Sequence, residues 1–454
     1  MTTRIYFPSL AIARSGVLGL IAAMTATMIS SPDVHAQTAS GQVDRGQTIA
    51  IMDGEVHTVT GTVIEAGDVI IRGGRIVEVG SDLTAPDGAQ IINADGRIVT
   101  PGIIAPFSSL GLAEISAVAD SNDAGPDRSF ELGASLDAGD AFNPASTLIP
   151  INRAGGVTRA VSVPNVGGSL FGGKAIFVDL TGEAGSVFKR DVGQTLILNA
   201  GGANRAGGTR MGAYALAREM LEEAQLFAND PAGYRRLVTD GRYTVSDLRA
   251  LGPVLSGEVP LFVVVHRAVD IRNVIRMKSD FGLNIILVGA AEGWREAAAL
   301  AAANVPVIID GLANLPQNFE TLSATLRNAA LLNQAGVTIG FYNPQGFGDH
   351  NLRLLPQMAG NAVAEGLPFD AALAALTLGP ATMFGLDGEM GSLEAGKRAD
   401  VVVWDGDPLE VTSAPVAVLI DGKVQDLNNR QQMLLDRYRT LDRGTLPHAY
   451  RGAN

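Results

Sequence analysis

Short apolar runs punctuated by glycine and proline recur along the central part of the chain. Four of them lie at residues 261–265, 285–288, 305–309 and 337–341. Ala-rich stretches such as residues 294–303 separate these runs. Buried strands that alternate with helical segments are typical of parallel βα units. The pattern fits a closed (β/α)8 barrel or an open doubly wound sheet, and periodicity alone does not separate the two.

Both ends of the chain carry a different pattern. Between residues 48 and 80, β-rich runs are separated by paired glycines, which predicts a small antiparallel β-unit. Similar runs return at residues 399–404 and 416–424, each followed by Gly, Asp or Pro. We therefore expect the two ends to build one β-domain together.

The first residues have the pattern of a secretory signal. Arg4 and Arg14 precede an apolar stretch at residues 17–29, and a small-residue cleavage pattern ends at Ala36. This stretch is shorter than the ~20 apolar residues that span a bilayer. The pattern predicts a signal peptide over residues 1–36, cleaved after Ala36. We therefore expect a periplasmic or secreted protein that has no membrane span once the signal is removed.

Composition limits the partners and the chemistry. The net charge of −13 argues against nucleic acid and anionic membranes, because phosphate binding requires a concentrated positive face. The absence of cysteine excludes disulfides, thiol nucleophiles and Cys-based zinc sites. Four histidines follow the predicted signal, namely His57, His266, His350 and His448. A metal site with several imidazoles would need most of them.

Four parts of the chain carry a resemblance to a known family. They are residues 98–104, residues 140–144, residues 154–158 with 171–174, and residues 390–404. The first resembles the entry to the first barrel strand of the amidohydrolase superfamily. The others are similar to the imidazolonepropionase-like branch of that superfamily. The resemblance covers roughly residues 48–425.

The resemblance implies an α/β fold, a (β/α)8 TIM-like metallohydrolase barrel plus a small β-sandwich domain built from both chain ends. The implied parts are residues 41–100 and 388–428 for the β-sandwich, residues 101–387 for the barrel, and residues 429–454 for a C-terminal tail. The tail pattern predicts a short helix followed by a disordered end.

The family's chemistry is metal-assisted hydrolysis, commonly of C–N bonds. A divalent metal, usually zinc, lowers the pKa of its bound water toward about 7 at the C-terminal rim of the barrel. The resemblance places Phe107 and Ser109 where the family has a His-x-His pair, and Gly289 where it has another histidine. His266 remains at one ligand position, and Asn343 falls near the metal-binding Asp. Most ligand positions are thus substituted, and we expect no metal cofactor.

Candidate site residues follow from the strand ends. Asp310 closes an apolar run, and a carboxylate at the C-terminal end of a barrel strand usually faces the site. Asp310 is therefore one catalytic candidate, and the resemblance implies Asn343 as the other. The candidate pocket residues are Phe107, Ser109, His266, Arg267, Tyr342 and His350. If a metal is bound, its candidate ligands are His266, His350 and Asp349.

Two charged residues near strand ends have structural interpretations. Lys174 follows two glycines and is interpreted as a solvated lysine. Glu292 is interpreted as the cap of the helix that follows it, where a carboxylate meets free N–H groups.

Three functions remain open at this point. The first is a catalytically degenerate amidohydrolase-fold protein that binds a small-molecule ligand, forms a homo-oligomer or pairs with an active relative. The second is an active hydrolase of amides, cyclic amides or dipeptides with a reduced site around one zinc or other divalent metal. The third is a structural interaction protein whose barrel mouth is filled by Phe107 and Tyr342.

Overall fold

The computed structural model describes residues 47–237, 242–344 and 348–439, all within one unit of the fold, Val43–Asn454. The predicted signal over residues 1–36, its cleavage after Ala36, and His448 lie outside the described residues. No helix in the described part of the chain is both long and apolar enough to cross a membrane.

The strands in these ranges follow one another along the chain. They are β1 Thr48–Val56, β2 Ile64–Arg72, β3 Arg75–Ser81, β4 Gln90–Asn93, β5 Ile98–Pro101, β6 Ile103–Ser108, β7 Val157–Ser162, β8 Phe171–Asp179, β9 Val187–Ile197, β10 Leu261–Val265, β11 Ile285–Gly289, β12 Val307–Ile309, β13 Ile339–Phe341, β14 Val401–Trp404, β15 Pro415–Ile420 and β16 Lys423–Val424.

The helices lie mostly between the barrel strands and after the last of them. They are α1 Leu148–Arg153, α2 Ala200–Arg205, α3 Arg210–Asn229, α4 Pro231–Leu237, α5 Val245–Ala250, α6 Gly252–Leu255, α7 Ala268–Phe281, α8 Ala297–Ala302, α9 Asn328–Gln334, α10 Leu355–Ala364, α11 Phe369–Leu376, α12 Leu378–Met383 and α13 Arg430–Tyr438. The last of these is a short helix at the start of the predicted tail.

The two chain ends form one continuous sheet, as their patterns predict. Its order is β16-β15-β14-β5-β1-β2-β3, with β4 paired to β1. Gly73 and Gly74 both have positive φ and close the tight β2–β3 hairpin, as their pairing in the sequence predicts. The ends join where β5 pairs with β14, and apolar residues from both, including Val99 and Val401, share one core.

The central region forms a closed barrel and not an open doubly wound sheet, the two folds that its periodicity allowed. Eight strands follow the order β13-β12-β11-β10-β9-β8-β7-β6. The two ends of this order lie side by side, since a Cβ added at Gly340 of β13 would lie 3.3 Å from Pro106 of β6. The result is a nearly closed α/β barrel beside the sheet of the chain ends.

One barrel strand departs from the parallel pattern. Strand β8 runs antiparallel to both β7 and β9. The connections on either side of it, residues 163–170 and 180–186, are shorter than the roughly dozen residues that a parallel crossover needs. Short connections therefore force two hairpins here, in place of two βα units.

Apolar side chains fill the inside of the barrel. Its core combines Ile104, Val161, Phe177, Phe262, Ile286, Val288 and Ile308 from six strands with residues of the segment after α12. Phe262 meets the ring of Phe384 with centroids 5.9 Å apart. The barrel interior is thus a packed core below its mouth.

A buried arginine connects the barrel to the sheet of the chain ends. Arg159 of β7 is 0% exposed, and its Nε and Nη2 donate to the two oxygens of Asp400 at 2.7 and 2.9 Å. Its Nη2 also lies 2.9 Å from Asp421. Burial opposes the charge of Arg159, but Asp400 and Asp421 outweigh it and raise its pKa. Burial favours a higher pKa for half-buried Asp421, but Arg159 and Arg398 together hold that pKa below its usual value.

Candidate ligand pocket at the barrel mouth

A cavity of about 400 Å³ lies at the C-terminal rim of the barrel. We call it the mouth pocket. Its lining includes Phe107, Ser109, Thr195, Tyr342, Asn343 and Asp349. It forms here because the C-terminal ends of β6, β9 and β13 meet at one edge of the barrel, together with the 3-10 segment Gly348–Leu354. The structure therefore brings together five of the residues predicted from the sequence and adds Thr195.

Aromatic rings separate the mouth pocket from the barrel core. The ring of Phe107 stands edge-on to Phe262, with centroids 5.4 Å apart, and edge-on to Tyr342 at 5.9 Å. Burial raises the pKa of Tyr342, and the charge of Asp310 raises it further, so the phenol is neutral at pH 7. The pocket floor is apolar and carries a neutral hydroxyl.

A serine and a carboxylate form the polar side of the pocket. Ser109 donates from its backbone N–H to Asp349 at 2.7 Å and from its hydroxyl to the other carboxylate oxygen at 2.5 Å. Asn152 donates to the backbone carbonyl of Asp349 at 2.6 Å, which fixes the position of that residue. Asp349 therefore lines the pocket in a fixed position, and no basic side chain among the described residues pairs with its carboxylate.

Thr195 is a pocket residue that the sequence analysis missed. It is 4% exposed, and its hydroxyl is buried without a hydrogen-bond partner in the described structure. A buried hydroxyl without a partner costs free energy, roughly 1–3 kcal/mol. Thr195 lies near the C-terminal end of β9, a strand that the apolar runs did not predict. Its place near a strand end is the only feature of the sequence that indicates a pocket residue. The wall of the mouth pocket thus contains a hydroxyl that no described residue satisfies.

His266 lies deeper in the rim and does not line the mouth pocket. Its Nδ1 is buried and has no hydrogen-bond partner in the described structure. Burial lowers the pKa of His266, although Glu320 and Asp270 partly oppose this, so the ring is neutral at pH 7. Its imidazole occupies the space above Gly289, where an added Cβ would lie 2.5 Å from Cε1. Gly289 also has a φ of +93°.

Arg267 pairs with a carboxylate in the first turn of α7 and does not line the mouth pocket. Its guanidinium donates to both oxygens of Asp270, at 2.7 and 2.9 Å. This hydrogen bond raises the pKa of Arg267 against the effect of burial. Arg210 lies 3.4 Å from the same carboxylate and also pairs with buried Glu320. The structure thus assigns Arg267 to an ion-pair network that joins α3 and α7.

The other predicted residues are spread around the rim. Asp310 accepts a hydrogen bond from the N–H of Leu312 at 2.9 Å, and burial raises its pKa. It lies outside the mouth pocket lining, as does half-buried His350. Catalytic roles for Asp310 and Asn343 stay predictions.

Lys174 lies at a partly exposed position as expected, but the prediction for Glu292 is wrong. Lys174 pairs with Asp191 at 3.3 Å on a partly exposed face. The carboxylate of Glu292 accepts the N–H of Ala268 at 3.0 Å, at the start of α7. It therefore caps the preceding helix, not the following one, because the turn at Ala290, whose φ is positive, directs the chain back toward α7.

The residues at the mouth do not suit the divalent metal that the family's chemistry implies. Phe107 offers no donor atom, and Ser109 is committed to Asp349. His266 fills the space that a histidine at position 289 would require. Within the three described ranges, no three His, Cys, Asp or Glu side chains are grouped closely enough to hold a metal ion. The donor set is that of a hydrogen-bonding pocket.

A larger cavity of about 580 Å³ lies at the opposite end of the barrel. Its lining includes Val192, Pro260, Asn284, Pro306 and Thr338, which stand near the N-terminal ends of β9 to β13. Active sites of such barrels lie at the C-terminal face, where variable loops meet the strand ends. The smaller mouth pocket is therefore the candidate functional site.

Comparisons with known sequences point to one family. A family model described as an amidohydrolase family matches residues 350–425. Amidohydrolase tasK of Hapsidospora irregularis is 27% identical over 395 residues, which cover 79% of this chain and 40% of that protein. Imidazolonepropionase of Acidiphilium cryptum is 26% identical over 387 residues, which cover 77% of this chain and 89% of that protein. The chain thus spans under half the length of the first relative.

Solved structures agree on the fold. The crystal structure of an amidohydrolase from Thermotoga maritima MSB8 matches with a TM-score of 0.73 and 26% identity. The match covers 83% of this chain and 99% of that chain, so it includes both the barrel and the sheet of the chain ends.

Proposed function

Since this chain belongs to the amidohydrolase superfamily, we propose that it is an exported member that has lost metal-dependent hydrolysis and binds a small polar ligand in its mouth pocket. Its lineage is that of hydrolases that act on C–N bonds other than peptide bonds. The observation that carries the proposal is the contact of Phe107 with Tyr342 beside the Ser109–Asp349 pair.

The residues that bind metal in the family are replaced on several strands at once. One missing ligand can be compensated by geometry, but replacement of imidazoles on β6 and β11 removes the donors that supply most of the affinity for a metal. His266 cannot compensate, because its ring is buried against Gly289. These substitutions favour a binding protein over an active hydrolase.

The pocket chemistry favours a small neutral or cationic ligand with an apolar part. Asp349 supplies a negative charge, and the hydroxyl of Thr195 in the pocket wall has no partner among the described residues. The rings of Phe107 and Tyr342 can pack against an aromatic ligand or a cation. Benzylamine and benzyl alcohol carry these features and serve as probes.

Zinc content is the first test of the proposal. After exposure to zinc and removal of loosely bound ions, we expect below about a tenth of an equivalent per chain by elemental analysis. About one equivalent that is lost in His266→Ala would refute the degenerate site. That result would support the alternative, an active amide, cyclic amide or dipeptide hydrolase with one metal.

Ligand binding at Thr195 is the second test. We expect Thr195→Val, which keeps the shape and removes the hydroxyl, to weaken binding of a hydroxyl or amine probe by about 3- to 10-fold in calorimetry. Thr84→Val is the matched control, because Thr84 is exposed and far along the chain in the β-domain. Equal affinities for wild type and Thr195→Val would place the ligand elsewhere.

A further inference from the structure

A second cavity, of about 500 Å³, lies beside the mouth pocket and shares no lining residue with it. The segment of residues 163–170 separates the two, with Val166 lining one and Gly168 the other. We call the second one the arginine cavity. Its lining includes Arg128, Phe130, Arg205, Leu216, Met220 and Tyr243.

Arg205 is fixed in the wall of this cavity by backbone carbonyls. Its Nε donates to Gly167 at 2.7 Å, its Nη1 to Gly201 at 2.9 Å, and its Nη2 to Val166 at 3.3 Å. A guanidinium has five N–H groups, so two remain for another acceptor. Carbonyl oxygens orient the group but leave its positive charge without a counterion.

Arg128 brings a second positive charge to the same cavity. Its side chain is exposed, and it forms no hydrogen bond or ion pair with any described residue. Burial lowers the pKa of Arg205, and the charge of Arg128 lowers it further. Neither arginine forms an ion pair with a carboxylate in the described part of the chain. Two like charges therefore lie close together in a protein whose net charge is −13.

The other charged residues around the cavity form no ion pair with these two arginines in the described structure. Asp247 accepts hydrogen bonds from the N–H groups of Gly133 and Ser135 and from the Ser135 hydroxyl, which commit its oxygens. Arg242 pairs with Glu219 at 3.2 Å. Glu131 lies on the exposed rim of the cavity.

We propose that the arginine cavity binds the carboxylate of a small organic acid between Arg128 and Arg205, with the apolar part of the acid against Phe130, Leu216 and Met220. No part of the proposal depends on the ligand of the mouth pocket.

The geometry favours a carboxylate on an apolar body. A planar guanidinium with free N–H groups matches the two oxygens of a carboxylate. Met220 is buried, Leu216 is half-buried and Phe130 is exposed, so apolar surface continues from the wall of the cavity to its opening. A volume of about 500 Å³ accommodates an arylalkanoic acid.

Calorimetric titration of the whole protein with phenylacetate tests the proposal. We expect one site, weakened by added NaCl, and about tenfold or more weaker binding in Arg128→Gln. Arg72→Gln is the matched control, since Arg72 is an exposed arginine on β2 with no described partner, and its affinity should equal that of the wild type. Phenylacetamide has nearly the same shape without the charge and should bind at least about tenfold more weakly.

Three results would overturn the assignment. Equal binding of phenylacetate and phenylacetamide would show that the negative charge of the ligand does not contribute to binding. An unchanged affinity of Arg128→Gln for phenylacetate would show that the ligand does not bind in this cavity. If phenyl phosphate binds and phenylacetate does not, the cavity recognises a phosphate and not a carboxylate. Because Arg128 has no described partner, its substitution should leave the circular dichroism spectrum and the benzylamine affinity of the mouth pocket unchanged. The two proposals can therefore fail independently.

Discussion

Replacement of Arg159 with methionine is expected to lower the free energy of unfolding by about 3–5 kcal/mol. The guanidinium is fully buried and serves the carboxylates of Asp400 and Asp421. Methionine fills much of the volume but leaves buried Asp400 without its counterion, whereas half-buried Asp421 keeps its ion pair with Arg398. Uncompensated buried charge, more than lost packing, is the source of the large effect.

Urea unfolding followed by circular dichroism measures this loss. The control is Arg97→Gln, whose partner Asp95 lies 3.2 Å away on the exposed surface, and we expect a loss below about 1 kcal/mol. Addition of Asp400→Asn to Arg159→Met should recover part of the stability, since it removes the carboxylate charge that has lost its counterion. A loss below about 1 kcal/mol for Arg159→Met would mean that water reaches the carboxylates, which contradicts a dry junction.

The strand positions could be predicted because they depend on local pattern. The apolar runs at residues 261–265 and 285–288 became β10 and β11, since a strand buried on both faces needs uninterrupted apolar residues. The glycine pairs marked the hairpin at Gly73 and Gly74 for a similarly local reason. The reversal of β8 was missed, because it depends on connection lengths on both sides of a strand that was not itself predicted.

The mouth pocket could be predicted in part. The resemblance placed Phe107, Ser109 and Tyr342 at the ends of barrel strands, and the C-terminal ends of barrel strands meet at one rim, so their proximity could be predicted. The direction of a side chain could not be predicted from its position at a strand end. Arg267 follows β10 directly but turns to Asp270 three residues later, and His266 turns over Gly289.

The arginine cavity could not be predicted, because its parts are far apart in the sequence. Arg128 lies in the long connection after β6, and Arg205 ends α2. Only the folded chain shows that the two charges face one cavity and that their neighbours are already paired. A lone arginine in a sequence carries no such information.

Replacement of Phe262 with alanine is expected to lower the free energy of unfolding by about 3–5 kcal/mol. Its ring is 0% exposed and lies between Phe107 and Phe384. It also packs on bare backbone, since a Cβ added at Gly193 would lie 2.2 Å from it. The surrounding barrel strands are fixed by their hydrogen-bonded ladders, so they cannot close around the gap, and the cost of the cavity adds to the lost burial.

The same substitution connects stability to the mouth pocket. Without Phe262, the ring of Phe107 loses the edge contact that holds it at the pocket floor, so benzylamine should bind several-fold more weakly in calorimetry at a temperature where the variant is folded. Phe319→Ala is the control, because Phe319 is 86% exposed and its loss should change stability by no more than about 0.5 kcal/mol. A stable Phe262→Ala variant would show that the barrel interior is loosely packed, and unchanged benzylamine affinity would separate the pocket from the core beneath it.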